Sequence, residues 1–191
     1  ELNLKMISVG FDPISKIENI PKNPKIRYEI MTIEMPKHGK SSLEMMYQTC
    51  GTQVNIDYNS EVDFKTKFKL ASYLTPISIA LFANSSIKQM KPSGYLSYRS
   101  RIWQNTSRGG LPEVFLEDMS FEKYADMSLN MPLLFIQQNS KYIKADGKTF
   151  NDFMNGNIKV IENKKPTLKD FETHLATIFT EVRLKNYIEI R

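Results

Sequence analysis

The stretch Glu181-Val182-Arg183-Leu184-Lys185-Asn186-Tyr187-Ile188-Glu189-Ile190-Arg191 decides how the chain folds. Its odd positions hold Glu, Arg, Lys, Tyr, Glu and Arg, while Val182, Leu184, Ile188 and Ile190 occupy even ones. Side chains alternate across a strand, so this period gives one apolar face and one densely ionic face. A second run has the same period. In Thr52–Tyr58, Val54, Ile56 and Tyr58 face one way and Gln53, Asn55 and Asp57 the other, as in a half-buried strand. If both runs belong to one sheet, their polar ranks make a surface rich in oxygens and guanidinium groups. Such a surface suits magnesium and a triphosphate, because hard cations take carboxylate and amide oxygens and guanidinium forks bind phosphate oxygens in pairs. An ordinary solvated sheet face would show the same alternation.

Between these strands the sequence reads as mixed. Leu2–Val9 reads as a strand, Pro13, Pro21 and Pro24 mark a loop, and Pro24 opens a short helix to about Ile33. A helical turn follows over Ser42–Gln48. Ser60 and Asp63 form a capping pattern for a helix carrying Phe64, Phe68, Ala71 and Leu74, and Thr75-Pro76 divides it from a second helix reaching Ala83. Short helices are expected over Arg99–Gln104 and Phe121–Met127, and an apolar strand over Leu133–Ile136. A hairpin turn is expected at Gly147, and a helical turn over Phe150–Met154 that Gly156 ends. Thr167 and Asp170 start a helix through Phe179. Strands and helices without regular alternation argue for an α+β fold: an antiparallel sheet with helices packed on one face, the other face free to line a wet site.

The 191 residues are 41% hydrophobic and 25% charged with a mean hydropathy of -0.39. That is enough for one sizeable core, and no apolar run reaches the roughly 18 to 20 residues of a membrane helix. One cysteine excludes a disulfide-stapled scaffold and a cysteine-built zinc site, which points to a cytoplasmic setting. The chain begins at Glu1 and not Met, the mark of an excised or incomplete chain from which a transit peptide could have been removed. Lys and Arg number 26 against 21 Asp and Glu, a net charge of +5. The basic residues are interspersed with acids, which favours a phosphorylated small molecule over a nucleic acid as partner.

The usual catalytic constellations are absent from the sequence. His38 and His174 lack metal spacing and read as structural or surface residues. Cys50 reads as a small buried hydrophobe, and Arg108-Gly109-Gly110 is too short to be a phosphate loop. Arg99 and Trp103 lie one helical turn apart on one face. Arg27 could bind an anion or simply snorkel from its helix.

The run Glu44-Met45-Met46-Tyr47-Gln48-Thr49-Cys50-Gly51-Thr52-Gln53-Val54-Asn55-Ile56-Asp57-Tyr58 resembles the signature of plant and alphaproteobacterial glutamate-cysteine ligases. So do Ala80–Ser85, Ser97–Trp103 (S-Y-R-S-R-I-W) and the closing Glu181–Arg191, in the family's order and over nearly the whole chain. The resemblance implies the first step of glutathione synthesis. ATP phosphorylates the side-chain carboxylate of glutamate, and the amine of cysteine displaces phosphate to give γ-glutamylcysteine. It also implies a catalytic domain similar to that of glutamine synthetase, with Mg2+ bound and ATP as co-substrate.

Residue by residue, the resemblance makes Glu189 a metal ligand and Arg191 a catalytic, phosphate-binding arginine. Gln53 and Asn55 become metal or nucleotide contacts, and Arg183 and Lys185 nucleotide contacts. Arg99, also catalytic, joins Arg27, Trp103 and Asn84 in binding substrate. The partners implied are glutamate, cysteine and ATP, with no membrane and no nucleic acid. Family members are longer, with further acidic metal ligands before this segment, so residues 1–191 are expected to be the central part of a single catalytic domain.

Departures from the family pattern are specific. Ala145 and Val160 stand at the positions of the plant redox-switching cysteine pair, which removes that regulation. Gly51 and Thr180 stand where Thr and Pro are usual, and Leu134 replaces an aromatic of the cysteine pocket. That last change makes a γ-glutamyl ligase for another amine an alternative. The positive charge alone would also fit a non-catalytic module that binds anions or nucleic acid. Replacing Glu189 by Gln is expected to abolish magnesium-dependent turnover and leave the fold largely intact.

Overall fold

The computed structural model describes residues 5–106, 108–138, 141–161 and 164–191. In chain order its elements are α1 (Ile26–Glu34), α2 (Ser42–Gln48), β1 (Val54–Ile56), α3 (Glu61–Leu81), β2 (Ile87–Lys88), β3 (Lys91–Pro92), α4 (Tyr98–Gln104) and β4 (Gly109–Gly110). They continue with α5 (Phe121–Asn130), β5 (Phe135–Gln138), β6 (Lys141–Lys144), α6 (Phe150–Met154), α7 (Leu168–Leu175), β7 (Phe179–Thr180), β8 (Val182–Leu184) and β9 (Ile188–Ile190). The result is a mixed α and β fold with four small sheets among the described residues, three antiparallel and one, β4 with β7, parallel.

The closing stretch is a hairpin, not one strand: Lys185–Tyr187 turn the chain, and β9 lies between β1 and β8. Its register pairs Arg183 with Glu189 and Val182 with Ile190 on one side, and Asn55 with Glu189 and Val54 with Ile190 on the other. Paired positions in each ladder have the same parity. The hairpin therefore keeps the period of two intact, with Asn55, Glu189, Arg183 and Arg191 on one face and Val182 and Ile188 on the opposite one.

The apolar face packs on α3. Phe64, Phe68 and Ala71 of that helix join Val182, Ile188, Phe115, Met119 and Tyr124 in one buried cluster. Ser60 caps the helix by accepting a hydrogen bond from the Asp63 N–H. The helix then runs unbroken through Pro76, where the sequence suggested two helices. Pro76 costs one N–H bond to the preceding turn, but the ladder resumes beyond it, with Phe82 N–H donating to Ser78 O.

The ionic face is not open as expected. Trp103 of α4, with Arg99 beside it, lies against Arg191 at one end of this face, while Asn55 on the β1 edge stays exposed. Ser97 caps α4, and Ile102 and Trp103 are buried with Phe11, Ile30, Met31, Met35, Met45, Leu134 and Phe135 in a second cluster. The run Leu133–Ile136 is buried on both sides: Leu134 and Phe135 face this cluster, while Leu133 and Ile136 face a third one with Phe150 and Phe153. A strand buried on both faces is continuously apolar, as this one is.

Other differences are local. Residues 5–9 form no strand, and Leu2–Leu4 lie outside the described residues. The Thr52–Tyr58 strand shortens to β1, whose residues are exposed on both faces because it is the edge of its sheet. β5 and β6 pair antiparallel before Gly147 is reached, and Gly147, at φ 76°, serves a later turn. α7 has the Thr167–Asp170 capping box but stops at Leu175. Beyond it the Thr177 hydroxyl donates to the His174 carbonyl, and Arg108 Nε donates to Thr177 O.

Candidate functional site

At the centre of the ionic face is Glu189, only 2% exposed. Arg183 Nη1 donates to its Oε1 at 2.7 Å and Lys185 Nζ donates to its Oε2. Burial would raise the carboxyl's pKa. The Lys185 and Arg183 charges outweigh that and hold it below the usual carboxylate range. Asn55 sits opposite on β1, and Gln53 is two residues along the same face, both exposed.

Arg191 lies beyond Glu189 on the same rank, its Nη1 4.0 Å from Glu189 Oε1. Its guanidinium stands 4.9 Å from the Trp103 ring centre and 5.8 Å from that of Phe179. Arg99 approaches the same indole at 5.4 Å, with its Nε donating to Cys50 O at 2.8 Å. Trp103 and Phe179 meet edge to face at 6.3 Å, and Arg183 lies 5.9 Å from the Phe179 ring. Two aromatic rings thus carry three guanidinium groups, an arrangement that stabilises cations and keeps them within reach of one another.

Burial lowers the pKa of both Arg99 and Arg191. Arg183 and Arg99 lower that of Arg191 further by like-charge repulsion. Burial raises the pKa of Glu181, which is 4% exposed, against the pull of Arg99 and Arg191. Among the described residues, Arg99, Arg183, Lys185 and Arg191 face only Glu181 and Glu189, which leaves two positive charges in excess. Arg191 Nε and Trp103 Nε1 are buried donors without a partner among the described residues. A charge-rich, partly unpaired set of donors of this kind binds anions.

The sheet and α4 bring together six of the ten residues that the sequence assigned: Asn55, Arg99, Trp103, Arg183, Glu189 and Arg191. Lys185 joins through its bond to Glu189, and Gln53 is exposed just before β1, with no contact to the cluster among the described residues. Two stand apart. Arg27 is exposed on α1 with its guanidinium 5.2 Å over Tyr28. Asn84 is exposed, and its side-chain amide donates to Ser8 O. Cys50, expected to be buried, is exposed beside Arg99. His38 is exposed, whereas His174 is buried, bonded to Ser128 O and pushed down to about 4 by burial and by Arg108.

A resident magnesium ion does not fit this donor set as it stands. Both Glu189 oxygens are held by cations, Asn55 and Gln53 are neutral, and among the described residues no group of three or more His, Cys, Asp and Glu side chains could hold a metal. For the same reason Glu189→Gln cannot leave the fold untouched: it would strip a buried guanidinium of its counter-charge.

Sequence reasoning gave no role to Glu181, Phe179, Arg108 or Gly109. Glu181 was visible in the odd-position rank. The others depend on a pairing of distant segments, β4 beside β7, where Phe179 N–H donates to Arg108 O. Gly109 is required sterically, because a Cβ there would lie 2.6 Å from Thr106 Oγ1 and 2.7 Å from Trp103 Cε3. A separate cavity of about 260 Å³ is lined by Glu34, His38, Arg108, Leu133 and Leu134. Leu134 is 5% exposed there.

Residues 1–191 match glutamate-cysteine ligase family 2 (GCS2) along their full length. The chain is 47% identical over 194 aligned positions to the chloroplastic glutamate-cysteine ligase of Nicotiana tabacum, covering 100% of the chain and 37% of that protein. It is 47% identical to the chloroplastic glutamate-cysteine ligase A of Oryza sativa subsp. japonica, covering 39% of it, and 44% identical to the chloroplastic enzyme of Arabidopsis thaliana, covering 37%. The chain thus spans under two fifths of the length of the curated relatives it matches. These relatives are named as chloroplastic, which overturns the cytoplasmic expectation: a lone cysteine fits any compartment where no disulfide is needed and does not select the cytoplasm. Three of the four ordered signatures contribute to one ionic cluster, identity runs along the whole chain, and residues 1–191 belong to glutamate-cysteine ligase family 2.

Proposed function

We propose that the chain forms the anion-binding core of an ATP-dependent glutamate-cysteine ligase and is the central part of a catalytic domain similar to that of glutamine synthetase. The observation that carries this is the pairing of Asn55 with Glu189 and Glu189 with Arg183 on one sheet face, beside Arg191 and Arg99 over Trp103. In the reaction, a γ-carboxylate oxygen of glutamate attacks the terminal phosphorus of ATP. An O–P bond forms, the bond to ADP breaks, and the amine of cysteine then displaces phosphate from the acyl phosphate with loss of a proton.

Two anions must meet in the first step. Arg191 and Arg99 supply fixed positive charge with unmade hydrogen bonds, and Lys185 and Arg183 add charge while tethering Glu189. Preset donors of this kind stabilise charge moving onto the transferred phosphoryl group without reorganising. Magnesium belongs to the nucleotide in this reading, and the charge of a triphosphate is met here by guanidinium and ammonium groups. The relatives' names support a plastid location for the protein. Full-length protein should release phosphate from ATP only when glutamate and cysteine are both present; no cysteine-dependent turnover would refute the reading.

Leu134, standing where an aromatic is usual, motivates a second reading of the acceptor alone, an amine other than cysteine. Product masses from mixed amines decide between the two.

A further inference from the structure

The two carboxylates of the ionic face differ in a way the reaction above does not use. Glu189 has both oxygens bonded, one to Arg183 and one to Lys185. Glu181 is the next acid on the same rank, opposite Arg191, whose backbone N–H donates to Glu181 O at 2.9 Å. It is 4% exposed, yet among the described residues no side-chain hydrogen bond or ion pair engages its carboxylate. Its charged neighbours are also incomplete. Among the described residues, the Arg99 side chain donates only from Nε, to the Cys50 carbonyl, and Arg191 comes no nearer to a carboxylate than 4.0 Å and leaves Nε unpartnered.

Buried opposite charges are normally joined, because an unpaired one costs desolvation without recompense. Here an acid and two guanidinium groups lie within each other's field and remain unjoined, with the unpartnered Trp103 Nε1–H in the same cluster. Phosphate alone would be repelled by Glu181, and a simple cation would be repelled by the arginines. The ligand that satisfies both carries a carboxylate and an ammonium on one carbon.

We propose that Glu181 binds the α-ammonium of the amino-acid substrate while Arg99 and Arg191 hold its anionic groups, so that the three residues together select a zwitterion. This rests on the ligase reading and assigns the substrate's amino end to a residue of the chain. Glu181 is then a specificity residue kept at a cost to stability, as binding groups commonly are.

The test uses full-length enzyme and compares glutamate with glutarate, the same diacid without its ammonium, in ATP-dependent phosphate release. Wild type should strongly prefer glutamate. In Glu181→Gln the KM for glutamate should rise roughly 10- to 100-fold, the range for a lost charged hydrogen bond. The KM for ATP should move less than about threefold, the preference over glutarate should collapse, and the melting temperature should be unchanged or higher. Glu181→Asp should keep part of the preference. A full preference for glutamate in Glu181→Gln overturns the proposal. So does failure of both variants to fold, since a carboxylate that nothing in the fold bonds is not needed for folding. Absence of glutamate-dependent turnover in wild type would overturn the ligase reading itself and this assignment with it.

Discussion

Replacing Glu189 by Gln tests the ionic face through stability and activity at once. Glu189 is the counter-charge of Arg183, whose side chain is 8% exposed and 2.7 Å away. Removing one member of a buried, bonded ion pair leaves an uncompensated charge and costs about 3 to 5 kcal/mol. Gln keeps the shape and can accept one hydrogen bond, so about 3 kcal/mol is expected from this pair. Lys185 is 35% exposed and contributes at most about 1 kcal/mol. For a domain of this size each kcal/mol moves the melting temperature by about 2 to 4 °C, so Glu189→Gln should lower it by about 6 to 12 °C. Thermal unfolding followed by circular dichroism measures this, together with the double mutant Glu189→Gln/Arg183→Met, which should recover at least half of the loss because the stranded charge is gone. The contribution should also depend on acid. The Glu189 carboxyl is held below its ordinary range, so its stabilisation is present above that range and is lost as pH falls through the folded value. A melting temperature within about 1 °C of wild type at neutral pH would refute the claim that Glu189 is the buried keystone of this face.

Three further outcomes follow. His174 stays neutral in the fold down to about 4 but takes a proton near 6.5 when unfolded, so stability should fall as pH drops between those values, by about 3 kcal/mol in total. His174→Gln should remove that slope in urea titrations at several pH values. Gly109→Ala should cost about 1 to 3 kcal/mol by forcing Cβ against Trp103 and Thr106, with a shift in tryptophan fluorescence; an unshifted spectrum and unchanged stability would contradict the packing. Arg191→Lys keeps the charge but loses the planar fork over Trp103, and kcat/KM should fall about 100-fold with the melting temperature nearly unchanged.

What the sequence disclosed and what it hid divide along range of contact. The period of two in Glu181–Arg191 and Thr52–Tyr58 is local, and it placed Asn55, Arg183, Glu189 and Arg191 on one face correctly even though the last segment is a hairpin and not a strand. Parity survives a turn when the paired residues have matching parity, as here. The caps at Ser60 and Thr167 were legible for the same reason: each is completed three residues away. The packing of Trp103 against one end of the ionic face was not legible. It depends on α4 and on β4 lying beside β7, and the segment Arg108-Gly109-Gly110 carries no periodic signal. The burial of Glu181 and Glu189, the exposure of Cys50, and the separation of Arg27 and Asn84 are likewise tertiary facts that no local pattern carries. Pro76 misled because a helix can absorb one missing donor where its neighbours are bonded.

The central claim is that strand β1, the β8–β9 hairpin and α4 assemble one substrate-anion site, and a crystal structure of the full-length protein with glutamate bound tests it most directly. Carboxylate oxygens within about 2.7 to 2.9 Å of the Arg99 and Arg191 guanidinium groups, beside the Trp103 ring, would support it. Glutamate bound elsewhere, with Arg99 and Arg191 facing only protein, would contradict it.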